Sequence, residues 1–230
     1  MIAQSTAAFA MTILVCLFFY TVSMQLILRI TRSDDELKTA FDTKPQLFLL
    51  WLVHILCAFA TLIITVNEPF GMKVLVASFF AMLLSVAYID AVTSYIYDLV
   101  LLGFSLFHIL LIFLLKMNIG DMVLGALIGF LLYLFIYLAA RLIYKKEVFG
   151  FGDVLLMGAI GIVVGKSAIV LAALMPFYVS AIILIPYMLI KKTVHLKTIL
   201  PFGPFICIAA GIVWVFNQAI LDFYISIILL

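Results

Sequence analysis

Charge is what this sequence has least of. Asp, Glu, Lys and Arg make up only 10% of the 230 residues, against 68% apolar, and the mean hydropathy is +1.40. A soluble domain carries about a quarter charged residues and about one half apolar ones, so a water-exposed globule is excluded. Runs of alternating polarity are missing too, which leaves helices as the only way for such a chain to span a bilayer. Cysteine is scarce: Cys16, Cys57 and Cys207 fall in separate apolar segments and form no C-x-x-C pair. They read as buried free thiols and not as a disulfide or a zinc site, and no metal or other cofactor is expected. No repeat, low-complexity tract or domain linker occurs, and the longest polar stretch, "TRSDDELKTAFDTKP" from Thr31 to Pro45, is too short for a domain. The chain therefore reads as one membrane domain over 1–230.

What is present is a series of apolar runs, each near the roughly 20 helical residues that cross a bilayer of about 30 Å. They cover about 7–30, 45–66, 72–89, 99–116, 121–142, 153–165, 168–190 and 205–229. The expected fold is all-α and polytopic, with about eight transmembrane helices. Two N-terminal helices and their short connecting loop fill 1–71, and the remaining six occupy 72–230. The first segment has no preceding positive charge and is followed by Arg29 and Arg32, so it reads as a retained helix and not as a cleaved signal peptide.

The bases are unevenly divided by this alternation. Arg29, Arg32, Lys38, Lys44, Arg141, Lys145, Lys146, Lys191, Lys192 and Lys197 fall on one side; Lys73, Lys116 and Lys166 fall on the other. The positive-inside rule assigns the first side to the cytoplasm and puts both termini outside. Topology accounts for these bases, so they give no reason to expect a nucleic-acid partner. Nothing in the sequence sets an oligomeric state.

Most acids have simple explanations. Asp34, Asp35, Glu36, Asp42 and Glu147 stand among loop bases, and Asp121 in "NIGDMVLG" reads as an N-cap. Three acids at the cytoplasmic ends of apolar segments remain: Asp90 and Asp98 in "AYIDAVTSYIYDLV", and Asp153 in "GFGD". An aspartate at the bilayer centre costs roughly 2.5 to 3.5 kcal/mol on insertion scales, less near the interface, so each asks for a reason. Capping is available to Asp98 and Asp153, which precede helical runs. It is not available to Asp90, which closes the run Met72 to Ile89, where the helix dipole disfavours a negative charge.

The segment opened by Asp153 is short, 13 residues to Gly165, or about 20 Å of helix. Gly158, Gly161 and Gly165 recur along it at three- and four-residue spacing and provide a smooth packing face. Gly150 and Gly152 give the preceding backbone access to angles closed to other residues; a plain tight turn is the alternative reading. Two carboxylates at the same depth on different helix ends suggest an aspartyl dyad. Held close, they share a single proton, so that one acts as base towards water and the other as acid towards a peptide carbonyl.

These residues resemble the type IV prepilin peptidases within the GxGD intramembrane aspartyl proteases. Gly150, Phe151, Gly152 and Asp153 match the family's G-x-G-D, and "VLLMGAIG" continues in its manner. Asp90 fits the other catalytic position, Thr93 a common polar one, and Ile96, Tyr97 and Asp98 a later Leu-Pro-Asp element. "PFGPF", Pro201 to Phe205, resembles the Pro-Phe-Gly-Pro stretch before the last helix; by itself it reads either as a helix entry or as an active-site wall. Tyr97 stands where proline is usual, and Leu155 where many bacterial members carry lysine. The bifunctional members resemble this chain only from about residue 45, because a cytoplasmic domain with two C-x-x-C pairs occupies the place of the Thr31 to Pro45 loop.

The resemblance implies a GxGD-type peptidase core over 72–230, with Asp90 and Asp153 catalytic. Gly150, Gly152, Asp98, Pro201, Gly203 and Pro204 would bind substrate or shape the site. It also implies a bacterial plasma-membrane enzyme that removes the short basic leader of a type IV prepilin or pseudopilin at the cytoplasmic face; the short loop in place of the bifunctional members' domain sets the further expectation that N-methyltransferase activity is lacking. Its partners would be that substrate and membrane lipid. Other chemistries fit less well: H-E-x-x-H is absent, "GFSLF" at Gly103 to Phe107 lacks the last glycine of a G-x-S-G nucleophile motif, and no Pro-Ala-Leu accompanies the G-x-G-D as in presenilin-like proteases. A proton- or cation-coupled transporter remains the alternative, although its acids would be expected near the midplane, often in two related halves. His54 and His108 read as satisfied core residues, and Lys191, Lys192, His195 and Lys197 as a solvated loop.

Overall fold

A computed structural model describes residues 2–33, 44–145, 149–191 and 201–228. Eight helices occupy the described residues: α1 Ile2–Ser33, α2 Lys44–Thr65, α3 Phe70–Thr93, α4 Asp98–Leu114, α5 Ile119–Tyr144, α6 Phe151–Val164, α7 Ile169–Lys191 and α8 Gly203–Ile228. The architecture is all-α. The readings made for Asp34, Asp35, Glu36, Lys38, Asp42, Lys146, Glu147, Lys192, His195 and Lys197 fall outside the described residues. Four helices are long and apolar enough to cross a membrane and four more are shorter apolar helices, as a multi-pass membrane protein requires.

Local chemistry sets the helix ends more than hydropathy does. The third helix does not stop at Ile89 but continues one turn past Asp90 to Thr93, where Ser94 takes a left-handed conformation (φ 53°) and returns its N–H to the Asp90 carbonyl. Thr93 Oγ1 donates back to Ile89 O at 2.8 Å, closing that last turn. Asp90 therefore sits inside the final turn and not at its end. Asp121 is not the cap of α5 either. Asn118 is, its side chain accepting the Asp121 N–H at 3.2 Å, which leaves the Asp121 carboxylate free to reach Gly165. Asp98 and Asp153 lie in the first turns of α4 and α6, behind Tyr97 and Gly150 at the cap positions.

The main core is built from α3 to α8 around Phe79, Met82, Tyr133, Met157, Ile160 and Ile206, all fully buried. Glycines bring α5 and α6 into backbone contact. A Cβ on Gly125 or Gly161 would overlap the other's backbone, and one on Gly129 would meet the Met157 carbonyl at 2.7 Å. A second zone joins α1 and α2 to α3 through polar side chains. Ser23 Oγ lies 2.7 Å from Ser85 Oγ and 3.3 Å from His54 Nε2, and Tyr20 OH lies 2.7 Å from Thr61 Oγ1. Such interhelical bonds contribute on the order of 0.6 kcal/mol each in a bilayer. Lys73 belongs to this zone too: it is buried on α3, donating to Thr12 Oγ1 at 2.6 Å and to the Val66 carbonyl at 2.9 Å.

His54 is satisfied as expected, its Nδ1 lying 2.9 Å from the Leu50 carbonyl. His108 is only half so, since Nε2 meets Ser78 Oγ at 3.1 Å while Nδ1 finds no partner among the described residues. The α5–α6 contact makes a direct prediction. Gly161→Val should destabilise the purified protein by roughly 1 to 3 kcal/mol through overpacking. Gly103→Ala, where nothing lies within 4 Å of the added carbon, should stabilise it slightly by helix propensity. Thermal unfolding in detergent checks both, and equal midpoints would contradict the packing argument.

Candidate active site at two buried aspartates

Asp90 and Asp153 come from helices that meet chiefly through others. The α4 and α8 helices each pack on both α3 and α6, and the start of α8 reaches Asp90 on α3. Both carboxylates are buried, 5% and 6% exposed, and they interact electrostatically with each other. They are thus brought together, 63 residues apart in the chain.

The contact that holds Asp90 comes from "PFGPF". Gly203 opens α8, and its N–H donates to Asp90 Oδ2 at 2.9 Å. The first N–H groups of a helix have no partner within it and need one elsewhere. Here Gly203 gives its N–H to Asp90, Pro204 has none to give, and Phe205 and Ile206 donate to the Phe202 carbonyl at 3.0 and 3.2 Å. Glycine is needed at 203 for closeness: a Cβ there would stand 2.6 Å from Asp90 Oδ2. Pro201 lies just before the helix and Pro204 within its first turn, where the fixed φ suits the entry.

"GFGD" opens α6 in the same region. Gly150 is the N-cap residue, with φ −74° and ψ 138°, and its carbonyl accepts the Asp153 N–H at 3.2 Å. Those angles are open to any residue, and among the described glycines only Gly165 has a positive φ. The expected conformational role of Gly150 and Gly152 is therefore replaced by a steric one. A Cβ on Gly150 would face Asp153 Oδ2 at 3.4 Å, and one on Gly152 would meet Ile96 Cβ at 3.0 Å. The second contact presses the start of α6 against the Ile96, Tyr97 and Asp98 stretch between α3 and α4. Asp98 itself is exposed and stands apart from the pair.

Several surrounding residues had no sequence signal beyond core periodicity. Cys207, buried on α8, is within electrostatic range of both carboxylates, and Tyr133 on α5 is within range of Asp153. The Tyr133 hydroxyl donates to the Ala173 carbonyl at 3.1 Å, three residues before Pro176, which stands inside α7. Aromatic rings link the two glycine motifs: Phe149 lies 5.6 Å from Tyr133 and 5.7 Å from Phe202, and Phe202 lies 5.3 Å from Phe177. The two carboxylates themselves are buried, and the α8 entry reaches Asp90 directly. Among the described residues, no group of three His, Cys, Asp or Glu side chains is placed to hold a metal ion.

Residues 77–230 match the type IV leader peptidase family. The chain is 35% identical over 111 residues to a prepilin leader peptidase/N-methyltransferase of Aeromonas salmonicida, covering 48% of this chain and 38% of that protein. A protein of the same description from Aeromonas hydrophila is 32% identical over 109 residues, covering 47% of this chain and 37% of its own. The chain thus spans well under half the length of the curated relatives it matches. No solved structure matches it.

The Gly203 contact can be tested without an assay of function. Gly203→Ala should push the Asp90 carboxylate away from the α8 terminus, and losing a hydrogen bond to a charged group, about 1.5 to 3 kcal/mol, accelerates exchange of the amide at 203 by roughly tenfold or more. Hydrogen exchange read by mass spectrometry would show it. Unchanged protection would mean that the added methyl is accommodated.

Proposed function

The chain belongs to the type IV leader peptidase family, and from that premise we propose that it is a GxGD-type membrane aspartyl endopeptidase with Asp90 and Asp153 as its catalytic pair. The observation that carries the reading is the burial of two carboxylates from separate helices within electrostatic range of each other, one of them opening a helix as "GFGD". In the proposed mechanism the pair holds one proton near neutral pH. Asp90, already accepting the Gly203 N–H, takes the base role and withdraws a proton from water, while Asp153 donates its proton towards the scissile carbonyl oxygen. Activity then requires the singly protonated pair and falls off on both the acidic and the basic side. Both acids are buried, so substrate binding has to open the site before water and a peptide can reach them.

The proposed substrate is a type IV prepilin or pseudopilin, cleaved between a short basic leader and the apolar helix that follows it. All eight helices span the plasma membrane of a bacterium in this reading, with both termini outside and the peptidase core of 72–230 opening its site to the cytoplasm. The basic residues support that sidedness, and the helix order puts Asp90, Asp98, Asp153 and Gly203 at the same end of the bundle. N-terminal methylation is not part of the proposal, because only residues 34–43 stand between α1 and α2.

Asp90→Asn and Asp153→Asn should each abolish leader removal, by at least about a thousandfold, while membrane abundance stays normal. Asp98→Asn should still process. Co-expression with candidate prepilins, read as a size shift on gels, decides this; full processing by either of the first two variants ends the aspartyl mechanism. For methylation, mass spectrometry of pilin processed by the purified protein with S-adenosylmethionine present should show an unmodified N-terminus. An added methyl group would show that the short loop suffices.

A further inference from the structure

Away from the aspartate pair, α4 and α6 leave an open groove of about 540 Å³. Its walls are apolar, with Leu99 and Leu102 from α4 facing Leu155 and Ala159 from α6, and Ser105 about two turns down. Asp98 stands at one end, in the first turn of α4, exposed and with no hydrogen bond or ion pair among the described residues. Between Asp98 and Ser105 the groove descends about 10 Å at the helical rise, enough for roughly two turns of a docked helix. Leu99 and Leu102 are 80% and 55% exposed, so the groove opens sideways, where lipid or another helix would lie.

We propose that this groove seats the apolar helix of the substrate, with the Asp98 carboxylate holding a basic side chain of the leader at its mouth; the proposal rests on the peptidase reading above. The occupant follows from charge and depth. A segment whose apolar helix begins at the cytoplasmic face carries its Lys or Arg just before that helix. A lone exposed carboxylate at the same level, above an apolar trough, complements that order of charge then apolar helix. A lipid chain would fill the trough but would bring a phosphate towards Asp98, which like charge disfavours. The route to the aspartate pair is short. Leu155 lies two residues beyond Asp153 on α6, so a peptide leaving the groove crosses the exposed Gly150–Phe151 edge of that helix's first turn to reach the other side.

Asp98 is thereby a specificity residue and takes no part in the chemistry. The test uses the full chain in detergent or liposomes. One substrate carries a Lys/Arg leader before an apolar helix, a second has Glu in place of the leader bases, and a third is cut short after the first few apolar residues. For the first substrate, Asp98→Asn should raise KM about two- to fivefold with kcat kept, the worth of one exposed ion pair. The wild-type KM should rise with salt and the variant's should not. Asp98→Lys should lose about tenfold or more in kcat/KM on the basic leader and recover it on the Glu leader. Ser105→Phe, which fills the lower groove, should lower kcat/KM about tenfold for the first substrate and leave the shortened one unchanged. The groove is ruled out if Asp98→Lys shows no exchange of leader preference, or if Ser105→Phe slows full and shortened substrates alike. Those results would leave the peptidase standing, whereas a wild-type protein that cleaves none of the three would remove both readings.

Discussion

The hydrogen bond from the Gly203 N–H to Asp90 is the contact around which the rest of the site is arranged. It joins residues 113 apart and places the unpaired N–H end of α8 against a buried carboxylate. A buried helix terminus has no water to turn to, and a buried carboxylate has none either, so each resolves the other's deficit. The partial positive charge at the α8 start acts in the same direction. Because α8 also packs on α6, this one contact settles how far the helix bearing Asp90 stands from the helix bearing Asp153. The small residue at 203 is a consequence of that distance.

Elsewhere the bundle divides its work. Around α5 and α6 the glycines carry the packing, since lipid offers no hydrophobic drive between helices and close backbone contact has to supply the attraction. Around α1, α2 and α3 the helices are joined by hydroxyl and imidazole groups, with Lys73 drawn inward among them. The first zone supports α6 and Asp153, while the second supports the length of α3 that leads to Asp90. The aspartate pair therefore lies where a glycine-packed half meets a polar-linked half, and rings beside the two glycine motifs, Phe149 and Phe202, pack on each other.

Chemistry of residue types made much of this legible in advance. The eight helices were readable because apolar runs and the bases between them have a simple relation to a bilayer. Asp90, Asp153 and "PFGPF" could be singled out because a carboxylate or a proline-glycine pair at a membrane helix end requires a reason. Other features were not readable. The end of α3 depends on Ser94 adopting a left-handed turn, which hydropathy does not report, and the α5 cap passed from Asp121 to Asn118, three residues upstream. Gly150 and Gly152 looked like residues of special conformation and turned out to matter through the space their missing side chains leave. Cys207 and Tyr133 carry the signature of any core residue and acquire their position beside the carboxylates only through packing.

By itself the sequence determined the solvent, the secondary structure and the short list of unusual acids, because each of these follows from local composition: how apolar a run is, how long it is, and which charges interrupt it. Only the tertiary structure decided which acids meet. Asp90, Asp98 and Asp153 are alike in sequence, all near the same end of apolar segments, yet the first two are separated by the turn after α3 so that one faces inward to α8 and the other faces out. The distinction is made by contacts over long separations, Gly203 against Asp90 and Ile96 against Gly152, which are fixed when helices pack and which no local pattern encodes.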